Sequence, residues 1–120
     1  MKTILVIEDT PDNRRIVRLV MERAGYRVVE AVNGAEGIDM ARAERPDLIL
    51  MDIQLPVVDG YEATRRLKAD AELKAIPVIA VTSYALAGDE AKTRAAGCDG
   101  YMAKPFSPKE LLQLVQRFIG

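Results

Sequence analysis

Five short apolar stretches, separated by charged and alanine-rich segments, constrain the fold of this chain more than any other feature. They occupy residues 3–7, 27–31, 48–51, 78–82 and 100–104. Strand-like and helix-like segments that alternate in this way are typical of an α/β domain with a parallel sheet. The first, third and fourth stretches are almost entirely apolar, as strands covered by helices on both faces would be. We therefore expect these three to be central and the second and fifth to lie nearer the edges.

The first two helix-like segments have recognisable ends. Thr10 and Pro11 are typical of an N-cap and a first helical residue, and Gly25 is a typical stop, which predicts a helix over 11–24. The segment "NGAE" at 33–36 has the letters of a hairpin turn, but no second strand follows it. We interpret Asn33 instead as the cap of a short helix that ends before Pro46.

Three further helices follow. The patterns at 60–69 and 87–96 are weaker, and Gly97 bounds the second of them. The letters "SPKE" at 107–110 combine a Ser/Glu capping box with a first-turn proline and precede an apolar stripe, so they begin the last helix. Five strand and helix units account for the whole chain, and we expect residues 1–120 to form one domain.

Composition excludes several classes of protein. The 17 basic and 18 acidic residues leave a net charge of −1, so nothing indicates direct nucleic-acid binding. No apolar stretch is long enough to span a bilayer. The single cysteine, Cys98, precludes an internal disulfide, and we expect it to pack in the core of a cytoplasmic protein, with redox sensing a remote alternative. The absence of histidine excludes a histidine base, a histidine metal ligand and a phosphohistidine of the chain's own.

Polar side chains follow four of the predicted strands. Glu8 and Asp9 come after the first strand, Asp52 after the third, Thr82 at the end of the fourth and Lys104 at the end of the fifth. Taken singly, each is most simply a surface residue or a loop cap. In an open parallel sheet, however, the carboxyl ends of the strands share one edge, where ligands bind. We therefore expect these side chains to meet.

Three neighbouring carboxylates would raise one another's pKa values unless a cation neutralised them. Oxygen ligands without histidine or cysteine suit Mg²⁺, which also accepts phosphate oxygens. Lys104 and Thr82 could then bind the remaining oxygens of a phosphate, as an ammonium and a hydroxyl. Asp52, held at the end of a buried strand, could itself be the nucleophile and form an acyl phosphate.

The segments "IEDTPDN", "LILMDIQLPVVDG", "AVTSYA" and "YMAKPFSPKEL" resemble the receiver domain of two-component response regulators, over essentially all 120 residues. The resemblance implies a flavodoxin-like (βα)5 fold: a doubly wound, parallel five-stranded sheet of order 2-1-3-4-5 in a three-layer sandwich. Such a chain is a phosphorelay protein that catalyses its own phosphorylation and dephosphorylation without being a conventional enzyme.

The resemblance also assigns roles to the residues at the sheet edge. It makes Asp52 the phosphoacceptor and Lys104 the lysine that contacts the phosphoryl group. Mg²⁺ would be bound directly by Asp9 and Asp52 and by the backbone carbonyl of Gln54, with Glu8 acting mainly through water. By the same resemblance the peptide bond between Lys104 and Pro105 is expected to be cis, and Thr82 and Tyr101 form the switch pair.

Partners follow from the resemblance as well. The donor would be a histidine kinase or a histidine phosphotransferase, and the output surface would be the fourth helix, fifth strand and fifth helix, with four candidate residues: Ala87, Lys92, Tyr101 and Phe106. In the first helix most apolar residues are expected to be core, but one or two exposed ones could dock the donor; the set is Ile16, Val17, Leu19, Val20 and Met21. Arg14 and Arg15 beside them are most simply solvated charges.

Several alternatives stay open at this point. Gln54 and Tyr84 occupy positions that vary in the family and tune hydrolysis of the acyl phosphate, so its lifetime is not predicted. Rival functions are a nucleotide- or flavin-binding module, disfavoured by the acidic loop after the first strand, and an aspartate-based phosphatase, disfavoured by Gln54. A binding scaffold that never turns over phosphate is a third. The downstream target, the oligomeric state, and whether the receiver is stand-alone or part of a larger regulator are not determined.

Overall fold

The structure is a computed structural model that describes residues 1–55, 58–82 and 89–120. Strands and helices alternate along the chain without exception in these ranges. In chain order they are β1 (Thr3–Ile7), α1 (Pro11–Arg23), β2 (Arg27–Ala31), α2 (Gly34–Glu44), β3 (Leu48–Asp52), α3 (Gly60–Ala69), β4 (Val78–Thr82), α4 (Asp89–Ala96), β5 (Gly100–Ala103) and α5 (Pro108–Ile119).

The strands form one parallel sheet in the order β2-β1-β3-β4-β5. This confirms the predicted fold class and strand order. β1, β3 and β4 are buried along their whole length, whereas β2 and β5 are partly exposed and form the two edges, as their composition predicted.

Helices cover both faces of the sheet. Because successive strand side chains point to opposite faces, Leu5 and Ile7 of β1 pack in a core with α2 and α3, while Ile4 and Val6 pack in a core with α1 and α5. α4 packs beside α3 on the first of these faces. The molecule is therefore the expected three-layer sandwich, with the ends of its strands at the rim between the two helical layers. In the described part of the chain, no helix is both long and apolar enough to cross a membrane.

Within the ranges that the structure describes, three helices begin with a side-chain cap. Asn33 accepts a hydrogen bond from the backbone N–H of Glu36 at 2.8 Å, which confirms the helical interpretation of "NGAE". Asp59 and Ser107 cap α3 and α5 in the same way. Thr10 occupies the predicted N-cap position of α1, but its side chain makes no capping hydrogen bond, so there Pro11 alone supplies the helix-starting chemistry.

Some element ends differ from the prediction. α1 ends at Arg23, one residue early, where Gly25 takes a left-handed φ of +94°. β3 extends to Asp52, because its backbone continues the ladder opposite Val81. β5 ends at Ala103, before Lys104, because Pro105 has no N–H with which to continue the ladder. The predicted start of the fourth helix, at 87 and 88, lies outside the described residues.

Candidate functional site

Carboxylates from the ends of two neighbouring central strands meet at one edge of the sheet. One carboxylate oxygen from each of Glu8, Asp9 and Asp52 lies within 4.8 Å of the others. Glu8 and Asp52 are buried, and Asp9 faces solvent. The structure thus brings the predicted acidic residues together, since β1 and β3 are hydrogen-bonded neighbours whose ends coincide.

Lys104 reaches the acidic cluster from the end of β5. Its ammonium donates a hydrogen bond to Glu8 Oε1 at 2.9 Å and lies 3.8 Å from Asp52 Oδ2. The peptide bond between Lys104 and Pro105 is cis. One cation therefore faces two buried carboxylates and the exposed Asp9, so the cluster has more acidic than basic groups.

The two buried carboxylates titrate very differently. Burial, together with the neighbouring Glu8 carboxylate, raises the pKa of Asp52 to about 7. Burial also acts to raise the pKa of Glu8, but its contacts with Asp52 and Lys104 outweigh that effect and hold its pKa at about 2. Such a pair shares one proton at neutral pH or below, because two close carboxylates in a low-dielectric site do not both ionise readily.

A divalent cation fits these residues. Glu8 Oε2 is buried and has no hydrogen-bond partner among the described residues, and a buried carboxylate oxygen without a donor is costly. The three clustered carboxylates offer oxygen atoms, the ligands that Mg²⁺ prefers. A metal ion or its bound water would satisfy Glu8 Oε2 and remove the repulsion between the carboxylates.

Gln54 connects the phosphoacceptor candidate with the switch candidate. Its backbone N–H donates to Asp52 Oδ1 at 3.0 Å, and its side-chain amide donates to Thr82 Oγ1 at 2.7 Å. Thr82 is completely buried at the end of β4. Tyr101 is partly buried in β5 and packs against the core that contains α2 and α3. Its strand pairs with β4, the strand that ends in Thr82.

Two residues of α1 support the site in ways that sequence reasoning missed. The Arg14 guanidinium donates a hydrogen bond to the Glu8 carbonyl oxygen at 2.8 Å, so the prediction that Arg14 is a solvated charge is wrong. Arg15 is exposed, as predicted. The side chain of Asn13 contacts the Glu8 carboxylate. Their position in the sequence could have indicated these contacts, because both residues lie in the first turn of the helix that follows the acidic pair.

Glycine 60 is a third residue that sequence reasoning missed. A Cβ built on Gly60 would lie 2.5 Å from the Asp52 carbonyl oxygen and 2.6 Å from Ile53 Cα. The Gly60 N–H also donates to the Ile53 carbonyl at 3.1 Å. Only glycine lets α3 begin this close to the end of β3. The contact between Gly60 and the backbone of Asp52 therefore helps to position the Asp52 side chain.

The outer face of α1 carries exposed apolar side chains. Ile16 and Leu19 are 56% and 50% exposed, whereas Met21 is buried and Val17 and Val20 are partly buried. The expectation that most of these residues are core and one or two are exposed is confirmed. Beside Ile16 a cavity of about 550 Å³ extends to Asp52 and Lys104 and is lined largely by apolar side chains.

Among the remaining candidates, Phe106 lines the same cavity as Glu8, Asp52 and Lys104. Cys98 is buried in the core with α2 and α3, as predicted for a packing residue, and burial raises the pKa of its thiol. Lys92 is exposed on α4 and Phe106 is partly buried after β5. Ala87 and Tyr84 lie outside the described residues.

Comparisons with known proteins agree with this geometry. Residues 4–116 match the response regulator receiver domain family. The chain is 45% identical over 119 residues to the polar-differentiation response regulator DivK of Brucella anthropi, covering 99% of this chain and 97% of that protein.

Two solved structures illustrate the structural similarity. The receiver domain of sensor histidine kinase PA1611 from Pseudomonas aeruginosa, which has a magnesium ion coordinated in its active site cleft, is 41% identical with a TM-score of 0.92, over 99% of this chain and 98% of that one. Chemotaxis protein CheY4 of Vibrio cholerae is 29% identical with a TM-score of 0.94, over 99% of both chains. With its sheet order, its acidic cluster and a family match over nearly its whole length, this chain belongs to the response regulator receiver domain family of two-component signalling.

Proposed function

We propose that the domain formed by residues 1–120 accepts a phosphoryl group on Asp52 from a phosphohistidine of another protein, in the presence of Mg²⁺, and that this modification changes the surface it offers to a downstream partner. The observation that carries the proposal is the convergence on Asp52 of two further carboxylates within 4.8 Å and of the Lys104 ammonium at 3.8 Å. A buried carboxylate among charged groups of both signs is suited to phosphoryl transfer, which depends mainly on positioning and charge neutralisation.

Transfer would proceed by attack of an Asp52 carboxylate oxygen on phosphorus. The phosphorus–nitrogen bond of the donor breaks, and its electron pair returns to the imidazole. Lys104 stabilises the negative charge on the phosphoryl oxygens, as a preorganised cation does. Later attack of water on phosphorus breaks the oxygen–phosphorus bond, restores the Asp52 carboxylate and releases inorganic phosphate.

The proposed metal ligands are Asp9, Asp52 and the Gln54 backbone carbonyl, with Glu8 acting through water. A bound Mg²⁺ supplies charge neutralisation to the phosphoryl oxygens and to the clustered carboxylates. The Oε2 of Glu8, which has no hydrogen-bond partner among the described residues, supports this assignment, and so does the magnesium ion coordinated in the active site cleft of the PA1611 receiver domain.

The proposed donor is a histidine kinase or a histidine phosphotransferase. Residues 1–120 contain no histidine, so the phosphohistidine has to lie outside this domain. Ile16 lines the cavity beside the site, and Leu19 is exposed three residues further along α1. Together they offer an apolar surface on which a donor helix can dock.

In this proposal, phosphorylation of Asp52 changes the positions of Thr82 and Tyr101, and these changes alter the surface formed by α4, β5 and α5. A phosphoryl group adds nearly two negative charges and strong acceptors beside Thr82, and so favours conformations in which the hydroxyl donates to it. Tyr101, Lys92 and Phe106 are the described residues through which a partner would detect the change.

The test is intact mass spectrometry after incubation with Mg²⁺ and either acetyl phosphate or phosphoramidate. We expect one phosphoryl adduct in the native protein, none in Asp52→Asn, and none when the metal is chelated. An adduct that persists in Asp52→Asn would place the modification elsewhere, and no adduct with either donor would favour a binding scaffold that does not turn over phosphate.

A further inference from the structure

Gln54 makes two hydrogen bonds that join separate parts of the site. Its backbone N–H binds the Asp52 carboxylate, and its side-chain amide donates to the Thr82 hydroxyl at 2.7 Å. The distance is short for a hydrogen bond from an amide nitrogen to a hydroxyl, and Thr82 is completely buried. The amide therefore restrains the Thr82 hydroxyl in one position.

The backbone around Thr82 is fixed on both sides. The Thr82 carbonyl accepts a hydrogen bond from Lys104 N–H at 2.7 Å, and the carbonyl of Val81 accepts one from Ile53 N–H at 3.0 Å. These two hydrogen bonds hold the backbone of Val81 and Thr82 in place. The least costly way for the Thr82 hydroxyl to change partners is therefore rotation of its side chain about χ1. A threonine side chain rotates between discrete staggered positions, so the hydroxyl selects one set of partners at a time.

We propose that the side-chain amide of Gln54 is a latch on the unphosphorylated state: it positions the Thr82 hydroxyl away from the phosphoryl site and thereby sets how readily the switch responds. This inference rests on the proposed function, in which the hydroxyl moves to a phosphoryl group on Asp52. A hydrogen bond made in one of two states stabilises that state against the other. One hydrogen bond of ordinary strength corresponds to a shift of roughly fivefold in such an equilibrium.

The proposal gives Gln54 two separable tasks. Its backbone carbonyl, a proposed metal ligand, is present whatever the side chain, whereas the latch depends on the amide donor alone. Gln54→Met keeps the length and backbone of the residue and removes the side-chain amide, including the donor to Thr82. Its effect is therefore sought in the switching equilibrium, and the affinity for Mg²⁺ is measured separately.

The experiment uses beryllium trifluoride, a stable mimic of the phosphoryl group, with Mg²⁺, and follows backbone amide signals of the full chain by NMR. Because this complex does not hydrolyse, the titration reports the switching equilibrium without the lifetime of an acyl phosphate. We expect Gln54→Met to raise the apparent affinity for beryllium trifluoride about fivefold. Mg²⁺ affinity is measured alone for each variant, so that a change in metal binding is separated from a change in the switching equilibrium. Gln113→Met, on the exposed side of α5, is the matched control and should have no effect.

The decisive comparison is made in a Thr82→Val background, where the hydroxyl is absent. There Gln54→Met should change the affinity by less than about twofold, because the hydroxyl whose position the amide restrains is absent. A decrease in affinity in both backgrounds would mean that the amide contacts the mimic directly, and a decrease only when Thr82 is present would mean that the amide favours the phosphorylated state. Either result, or no change at all, overturns the latch while leaving the proposed function standing. If the native protein shows no Asp52-dependent binding of the mimic, the proposed function fails, and the latch fails with it.

Discussion

Gly60 packs directly on the backbone of Asp52, so closely that a Cβ at position 60 would lie 2.5 Å from the Asp52 carbonyl oxygen. The backbone at these two positions cannot move apart easily, because the Gly60 N–H also donates a hydrogen bond to the Ile53 carbonyl oxygen. We predict that Gly60→Ala lowers the free energy of unfolding by about 1–3 kcal/mol through overpacking. It should also reduce the rate of phosphorylation by acetyl phosphate, because relief of the clash displaces Asp52.

Gly25→Ala is the control for this variant. Gly25 has a left-handed φ of +94° but nothing within 4 Å of an added Cβ, and it lies far along the chain from the site. It should cost about 1 kcal/mol of stability through backbone strain alone, with the phosphorylation rate unchanged. Equal phosphorylation rates in the two variants, measured by intact mass with denaturant melts alongside, would refute the role assigned to Gly60.

The raised pKa of Asp52, about 7, predicts a pH-dependent response to Mg²⁺. Above the ordinary pKa of an aspartate, the folded state keeps a proton on Asp52 that the unfolded chain has lost. The stability that this proton contributes is therefore present at low pH and disappears as pH rises through about 7. Mg²⁺ competes with that proton. The rise in melting temperature on adding Mg²⁺ should therefore be larger at pH 8 than at pH 5.5.

The chain is well suited to this measurement because it contains no histidine to titrate in the same range. Calorimetry in two buffers of different ionisation enthalpy should detect nearly one proton released per Mg²⁺ bound at pH 5.5, and almost none at pH 8. In Asp52→Asn both the proton release and the pH-dependent part of the stabilisation should disappear. A Mg²⁺ effect of equal size at the two pH values would show that Asp52 is already ionised at pH 5.5.

We predict that the positive charge of Lys104 accelerates phosphoryl transfer to Asp52. Lys104→Met removes the ammonium that lies 2.9 Å from Glu8 Oε1 and 3.8 Å from Asp52 Oδ2. Loss of one preorganised donor to a developing charge lowers a rate by about 100-fold or more, and we expect that reduction in phosphorylation by phosphoramidate. Lys109→Met, exposed in the first turn of α5, should retain the native rate. A Lys104→Met protein that is phosphorylated at the native rate would exclude a direct role for the ammonium.

Lys68 is predicted to stabilise the fold at the opposite end of the sheet. Its ammonium donates to the carbonyls of Lys74 and Ile76 and to the Asp99 carboxylate, at 3.0, 2.9 and 2.8 Å. Because these bonds join α3 to the starts of β4 and β5, Lys68→Met should lower the free energy of unfolding by about 2 kcal/mol, with the exposed ion pair contributing little of this.

The control for Lys68 is Lys74→Met, whose side chain is exposed and which should change stability by less than about 0.5 kcal/mol. Denaturant unfolding measures both variants. Phosphorylation of Lys68→Met by a small donor should match the native protein at a temperature where both are folded. Equal free energies of unfolding in the two variants would show that water replaces the hydrogen bonds of the Lys68 ammonium without loss of stability.

Sequence alone determined the fold class and most of the site, for a local and periodic reason. Apolar strands followed by helices must form a parallel sheet, and in such a sheet the residues that follow the strands meet at one edge. Glu8, Asp9, Asp52 and Lys104 could therefore be grouped from position along the chain. The cap at Asn33 was equally predictable, because a capping side chain and its N–H lie three residues apart.

Tertiary structure decided the contacts that depend on how the elements pack. The bond from Gln54 to Thr82 joins residues 28 apart, and the closeness of Gly60 to Asp52 depends on the angle at which α3 leaves the sheet. The approach of Arg14 to the Glu8 carbonyl is set by the seating of α1 against the sheet. No periodicity encodes such distances, because they result from the packing of whole helices on the sheet, and a sequence pattern specifies only which face each residue occupies.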